Sequence, residues 1–345
     1  MLRPYIDHSR AQAVSVEKHL ARDRCSRPLC LGDQPDDEGS QVPGGMASLS
    51  ARRRPIDKPF LALAQFIIAL AAAAAYLLGH GLLGLALFAA SLTLLALTDR
   101  YRFRNFASVT LSVVNPRMLL LILAQLGGEA LVRGRLLIRG RSSTTQSHHT
   151  SYTLPFEGRW LVARGGRSWR TSHSWNLIGQ RYAYDFVAVD GRGHRHRSTG
   201  RFKEDYLSYG QPVLAPADGV VAHVRDGVRD AVEVGTGWVD WRSRDFRGNF
   251  VVIRHAEAEY SLLAHLVPGS IALRVGDQVQ RGQRVGSCGH SGHSTEPHLH
   301  FQVQDRRNFF LAASLPVPFT NTAVNGENQT DPVYLSIGDL VERAQ

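Results

Sequence analysis

Between Pro59 and Thr98 the chain carries no Asp, Glu, Lys or Arg. No other feature restricts the fold so tightly. A helix on the surface of a soluble core needs a polar stripe to face water, and a run this long and this uniformly apolar offers none. It breaks at Gly79-His80-Gly81. Each half then comes close to the ~20 residues that cross a bilayer. A hairpin of two transmembrane helices is therefore expected over residues 59–98. A cleaved export signal fits less well, because the run is double length and no small-residue cleavage site follows a short apolar core.

Arg52, Arg53, Arg54 and Lys58 precede this run, and Arg100, Arg102 and Arg104 follow it. The positive-inside rule would place both ends of such a hairpin in the cytoplasm. A third apolar stretch, Phe106 to Leu126, is interrupted by Asn115, Pro116 and Arg117. It is expected either to cross a third time or to lie along the surface. Residues 59–126 are thus read as the membrane segment. A polar leader, residues 1–58, lacks any apolar period and is expected to be disordered. Residues 127–150 read as a linker.

From about Ser151 to Asp305 the character changes. Short alternating segments, "QPVLAPADGVVAHV", "GNFVVIRHAE" and "YSLLAHLVPGSIAL", are punctuated by Gly, Asp and Pro. That period of two with frequent turns predicts an all-β domain. Residues 306–345 follow as a C-terminal extension. The formal charge of +10 suits an anionic surface such as lipid, cell wall or nucleic acid. The chain has no helix-turn-helix, zinc-finger or aromatic-basic sheet motif, so nucleic acid is not an expected partner. Cys25, Cys30 and Cys288 make no disulfide framework.

Chemistry concentrates in "STEPHLHFQVQ", Ser294 to Gln304. After Pro297 the alternation is that of a strand, which puts His298 and His300 on one face and Leu299 and Phe301 on the other. Two adjacent imidazoles suit two ligands of one metal, or one ligand beside an acid/base. Asp185 in "QRYAYDFVAVD", His173 in "TSHSWN" and His265 closing "YSLLAHL" are further candidates. A second H-x-H, His194 and His196 in "GRGHRHRS", sits in an Arg-rich turn and reads as solvated surface.

Taken in order, "VLAPADGVVAHV", "GNFVVIRH", "YSLLAHL", "LRVGDQVQRGQRVG" and "GSCGHSGHSTEPHLHFQVQ" resemble the lysostaphin-type (LytM-like) zinc endopeptidases. The resemblance covers roughly Ser151 to Asp305, and Ser-Thr-x-Pro-His-Leu-His-Phe is its most specific part. It implies an antiparallel β-sheet groove, one zinc per chain, and hydrolysis of peptide bonds in the cross-links or stems of peptidoglycan. Carried over by residue, it implies Asp185 and His300 as zinc ligands and His265 and His298 as the catalytic pair. The third ligand departs from the pattern. The family places a His four residues before the Asp, and here that position is Arg181, which cannot bind a cation. His173, from an upstream loop, is assigned instead.

The expected fold is therefore an all-β peptidase domain preceded by a transmembrane α-helical segment. Its substrate would be peptidoglycan peptides, with the domain on the extracytoplasmic side of a cell membrane. The alternative is an inactive LytM-like domain that binds peptidoglycan or activates a partner wall hydrolase. A lipoyl- or biotinyl-carrier domain shares some of these patterns but needs an exposed lysine, and the chain has none after Lys203. Gly286, Gly289 and Gly292 are expected to form a tight loop before the histidine strand. Cys288, within it, is expected to be a small buried thiol.

Overall fold

The computed structural model describes residue 68 and residues 71–138 and 149–344. The leader 1–58 with Cys25 and Cys30, most of 59–70 and residues 139–148 lie outside them. The chain divides into two compact units, Met1–Asp99 and Arg100–Gln345.

In the first unit, residues 71–77 are helical and the helix stops at Gly79, where φ is +83°. Glycine adopts that conformation without the clash a Cβ would bring. Helix α1, Gly81–Thr98, follows. A Cβ on Gly84 would sit 3.1 Å from Ala72 O and from Tyr76 Cβ, so the two limbs approach closely here. The hydroxyls of Thr93 and Thr98 donate to the carbonyls of Ala89 and Leu94 within their own helix. Among the described residues α1 is the single helix long and apolar enough by itself to cross a bilayer.

The second unit opens with helices α2, Arg100–Leu111, and α3, Pro116–Ile138, joined by a short 3₁₀ turn. The two arms of this stretch meet at 99°. Pro116 keeps the residue before it out of helical geometry, and Asn115 is extended, with φ −82° and ψ 112°. Its Oδ1 accepts from the N–H groups of Arg117 and Met118, capping α3. Phe106 to Leu126, read as a possible third crossing, is thus bent in its middle. Helix α3 also runs through residues 127–138 of the expected linker. Its buried side carries Met118, Gln125, Gly128, Glu129 and Val132, and Val132 packs with Ile178 and Ala313 of the β-domain. A Cβ on Gly128 would overlap the carbonyl of Phe310. Leu119, Leu120, Leu123, Leu126 and Leu131 remain exposed.

The β-domain is one large antiparallel sheet with a small one beside it. Its strands are β1 Trp160–Arg164, β2 Tyr184–Ala188, β3 Pro212–Leu214, β4 Gly219–Arg225, β5 Asn249–Ala256 and β6 Glu259–Leu266. They continue with β7 Gln278–Val279, β8 Arg284–Ser287, β9 Leu299–Gln304, β10 Ser314–Leu315, β11 Thr322–Val324, β12 Glu327–Asn328 and β13 Leu340–Arg343. The large sheet runs β12-β11-β13-β1-β2-β9-β6-β5-β4-β7, with β10 added on β9, while β3 pairs β8 separately. The histidine strand β9 therefore lies in the interior of the sheet, between β2 and β6.

Alternation decides what each face does. Leu299, Phe301 and Val303 of β9 point into the main core with Phe186, Phe156, Trp160 and Phe319. Each large apolar side chain buried there stabilises the fold by roughly 1.5–3 kcal/mol. The other face carries His300, Gln302 and Gln304, and it is buried too.

Residues 306–345 are not an appendage. Strand β10 pairs β9, β13 pairs β1, and Leu315, Val317, Phe319, Leu335 and Val341 belong to the main core. The boundary drawn at Asp305 cuts through the sheet. The apolar run Phe309 to Phe319 had no strand period to advertise this, because it divides between a 3₁₀ turn and the two-residue β10.

Candidate metal centre and active site

Strand register builds the centre of the site. Asp185 on β2 lies directly opposite His300 on β9, and Ala264 on β6 flanks His300 on its other side. Directly opposed residues share a face with Cβ atoms about 5 Å apart. The small Ala264 leaves room there, and His265 follows it. His265 sits near the end of β6, where the register with β5 shifts between Asn249 and Val251, and its backbone takes φ +63°, a costly conformation for a residue with a Cβ.

His173 arrives from the loop before β2. Arg181 does not ligate but shapes that loop. Its Nε donates to the carbonyl of Trp175 at 3.0 Å, and its guanidinium lies 5.0 Å from the Trp175 ring centre. The residue that breaks the sequence pattern thus helps hold the loop carrying the replacement histidine.

His173, Asp185 and His300 each offer a donor atom, and these atoms lie within 4.8 Å of one another. His300 Nδ1 is 2.9 Å from Asp185 Oδ1, and His173 Nε2 is 3.8 Å from Asp185 Oδ2. His265 and His298 stand beside them, ring centres 4.7 Å apart, with His298 Nε2 3.7 Å from Asp185 Oδ1. All five residues singled out in the sequence meet in one place. His194 and His196 are exposed, and His194 is tied to Asp190.

Hydrogen bonds decide which nitrogens face the cluster. His298 Nδ1 donates to the Glu296 carbonyl at 2.8 Å, and His265 Nδ1 donates to the Ser291 carbonyl at 2.8 Å. Each ring therefore keeps Nε2 as its free, basic nitrogen. Burial, with His298 and His300 beside it, pushes His265 well below the usual histidine range. Burial also lowers His173. For Asp185 burial works upward, but the rings of His173, His298 and His300 outweigh it and hold the carboxyl far below the usual range. Burial opposes the charge on His300, and Asp185 outweighs that, leaving it raised.

Two imidazoles and one carboxylate, converging from three segments, fit a tetrahedral zinc that keeps a fourth position open. His173 is the most accessible, its side chain 27% exposed. Sequence reading missed the residues behind His300. Gln302 and Gln304 stand at i+2 and i+4 from it, and that spacing in "HLHFQVQ" was the available signal. Glu129 of α3, which accepts from the N–H groups of Ile178 and Gly179 at 3.0 and 2.9 Å, had none.

Comparison with known proteins adds a family. Residues 206–310 match the profile of peptidase family M23. The match contains His265, His298 and His300, while His173 and Asp185 lie upstream of it. The peptidoglycan DD-endopeptidase ShyA of Vibrio cholerae is 30% identical over 121 residues, 35% of this chain and 24% of that protein. An uncharacterized metalloprotease of Haemophilus influenzae is 33% identical over 135 residues, 38% of this chain and 25% of that one. The glycyl-glycine endopeptidase ALE-1 of Staphylococcus capitis is 29% identical over 160 residues, 46% and 38%. The chain spans from about a quarter to two fifths of the length of these relatives.

Proposed function

We propose, from a chain whose residues 206–310 match the profile of peptidase family M23, that this protein is a membrane-anchored zinc endopeptidase hydrolysing peptide bonds in peptidoglycan. One observation carries the reading: His173, Asp185 and His300 converge with donor atoms within 4.8 Å, and His265 and His298 lie against them. ShyA and ALE-1 are both named as endopeptidases, one of them of peptidoglycan, and that supports the substrate class.

His173, Asp185 and His300 would hold the metal. Zinc, when bound, supplies a Lewis acid for the scissile carbonyl and a water acidic enough to lose its proton near neutral pH. The chain's own residues do the rest. His298, its Nδ1 committed to Glu296, presents Nε2 to take a proton from the attacking water and return it to the leaving amine. His265, neutral at rest by burial and with its Nδ1–H committed to the Ser291 carbonyl, presents a second lone pair at Nε2; on taking up a proton there it donates to the charge that develops on the substrate oxygen. The arrangement of these nitrogens supports catalysis over a binding role alone, which would need neither free Nε2.

Purified protein digesting purified peptidoglycan, with products identified by mass, tests this. New amino termini at one class of peptide bond are expected, and they should vanish with a chelator and return with zinc. An intact digest from a zinc-loaded protein would leave a wall-binding role. The location follows from the substrate. The β-domain has to lie outside the cytoplasmic membrane, so the crossings should be odd in number, although the basic residues flanking 59–98 favour an even count. A reporter fused after Ser142 should be active in the form that works only outside. A cytoplasmic signal would overturn the wall-hydrolase reading.

A further inference from the structure

Strand β9 puts His300, Gln302 and Gln304 in file on one face, and all three are buried, Gln302 and Gln304 to 0% exposure. Their hydrogen bonds run in one direction. Gln304 Nε2 faces the carbonyl oxygens of Arg306 and Arg307 at 2.7 and 3.4 Å. Both can only accept, which makes that atom the amide nitrogen and leaves Gln304 Oε1 facing back along the strand. Gln302 Nε2 donates to Gln304 Oε1 at 2.8 Å and to the Gly179 carbonyl at 2.9 Å. Gln302 Oε1 is then left facing His300 Nε2 at 3.2 Å.

Reversing either amide would set oxygen against oxygen in a buried site, where each unmade hydrogen bond is costly. The backbone thus dictates orientation, through two amides, to one ring nitrogen. Helix α3 stiffens the same anchor, because Glu129 accepts the N–H of Gly179, whose carbonyl receives Gln302.

We propose that Gln302, backed by Gln304, is a positioning residue that keeps the proton of His300 on Nε2 and turns the Nδ1 lone pair toward Asp185 and His173. This rests on the reading of His173, Asp185 and His300 as a metal centre. A ligating histidine commonly gives its other N–H to an oriented acceptor, and loss of that acceptor weakens metal binding by about 10–100-fold. Here the acceptor is a neutral amide whose direction comes from carbonyls beyond the strand's end, and it touches neither metal nor substrate.

The test uses the full chain in detergent, stripped of metal, with zinc affinity measured by competition against a chromophoric chelator. Gln302→Met keeps the length and removes the acceptor, and zinc should bind about 10–100-fold more weakly. Gln304→Met should weaken binding less, since Gln302 keeps its bond to Gly179. A Gln302→Met protein that binds zinc within twofold of the native chain overturns the proposal. Should that variant fail to fold, the native protein still decides. With cadmium-113 in the site and nitrogen-15 in the histidines, His300 should couple to the metal through Nδ1 and carry its proton on Nε2; coupling through Nε2 overturns the proposal. A native chain that takes up no metal would overturn the metal-centre reading and this inference with it.

Discussion

The chain contains the pattern His-x-His twice, at His194/His196 and at His298/His300, and the two copies have opposite fates. The first lies in a turn, exposed. His194 bonds Asp190 in its own turn at 3.0 Å, and His196 bonds the carbonyl of Ser198 at 2.7 Å. The second leads into β9, where β2 supplies Asp185, β6 leads to His265, and a buried amide stands behind the ring. The i, i+2 spacing is the same in both places. What makes a site of the second is two neighbouring strands that bury the rings and bring Asp185 and His265 to them, while Glu296 and Gln302 fix each ring through its other nitrogen. A motif of two histidines is therefore a statement about its neighbours.

The comparison breaks most completely at the metal. His173→Ala and His300→Ala should each lower bound zinc from one per chain toward none in elemental analysis. Full retention in His173→Ala would mean that a different third ligand operates. The next largest effect separates chemistry from binding within the second pair itself. His298→Ala should keep its zinc and lose wall-lytic activity by ~100-fold or more, the usual contribution of a positioned acid/base.

A smaller effect appears in acid. Burial lowers His265 and His290, and takes His293 down to about 4. Between roughly pH 6.5, where histidines of an unfolded chain take up protons, and the lower folded values, the unfolded state binds more protons. Stability of the metal-free protein should therefore fall as pH drops through that window. His300, raised by Asp185, opposes the trend in part. Urea midpoints at pH 7.5 and 5.5 measure it, and an unchanged midpoint would contradict the neutral burial of the three. The smallest effect belongs to the exposed pair. His194→Ala with His196→Ala should leave zinc content and lysis unchanged and shift stability by no more than about 0.5 kcal/mol.

The β-domain was legible because its strands alternate and its special residues come in short, ordered phrases. Asp185, His265, His298 and His300 could be picked out because each ends or lines a strand whose period is visible. His173 was reachable only through the family resemblance, since its loop has no period and Arg181 occupies the position where that pattern places a ligand. The fate of Phe106 to Leu126 was hidden for a different reason. An apolar helix looks the same to lipid as to a sheet, and only Gln125 within the stretch, with Gly128 and Glu129 just past it, hints at a protein neighbour. Cys288, expected to be a small buried thiol, is fully buried. Strand β13 gave no signal at all, because Leu340–Arg343 is four residues long with one side chain, Val341, in the core.

That short strand sets the order in which the molecule can be made. Leu340–Arg343 hydrogen-bonds to Trp160–Arg164, with Trp160 opposite Val341. Nearly the whole β-domain must be synthesised before this pair can zip, and contacts between such distant residues slow folding. Until then β1 has an open edge, ready to pair with a wrong partner. A ribosome still holding residues 320–340 therefore presents an unfinished sheet, however complete the histidine phrases already are. Truncation at residue 310, where the family match ends, would freeze the chain in that state: aggregation during expression is expected, whereas ending after Arg343 should leave the β-domain able to fold cooperatively.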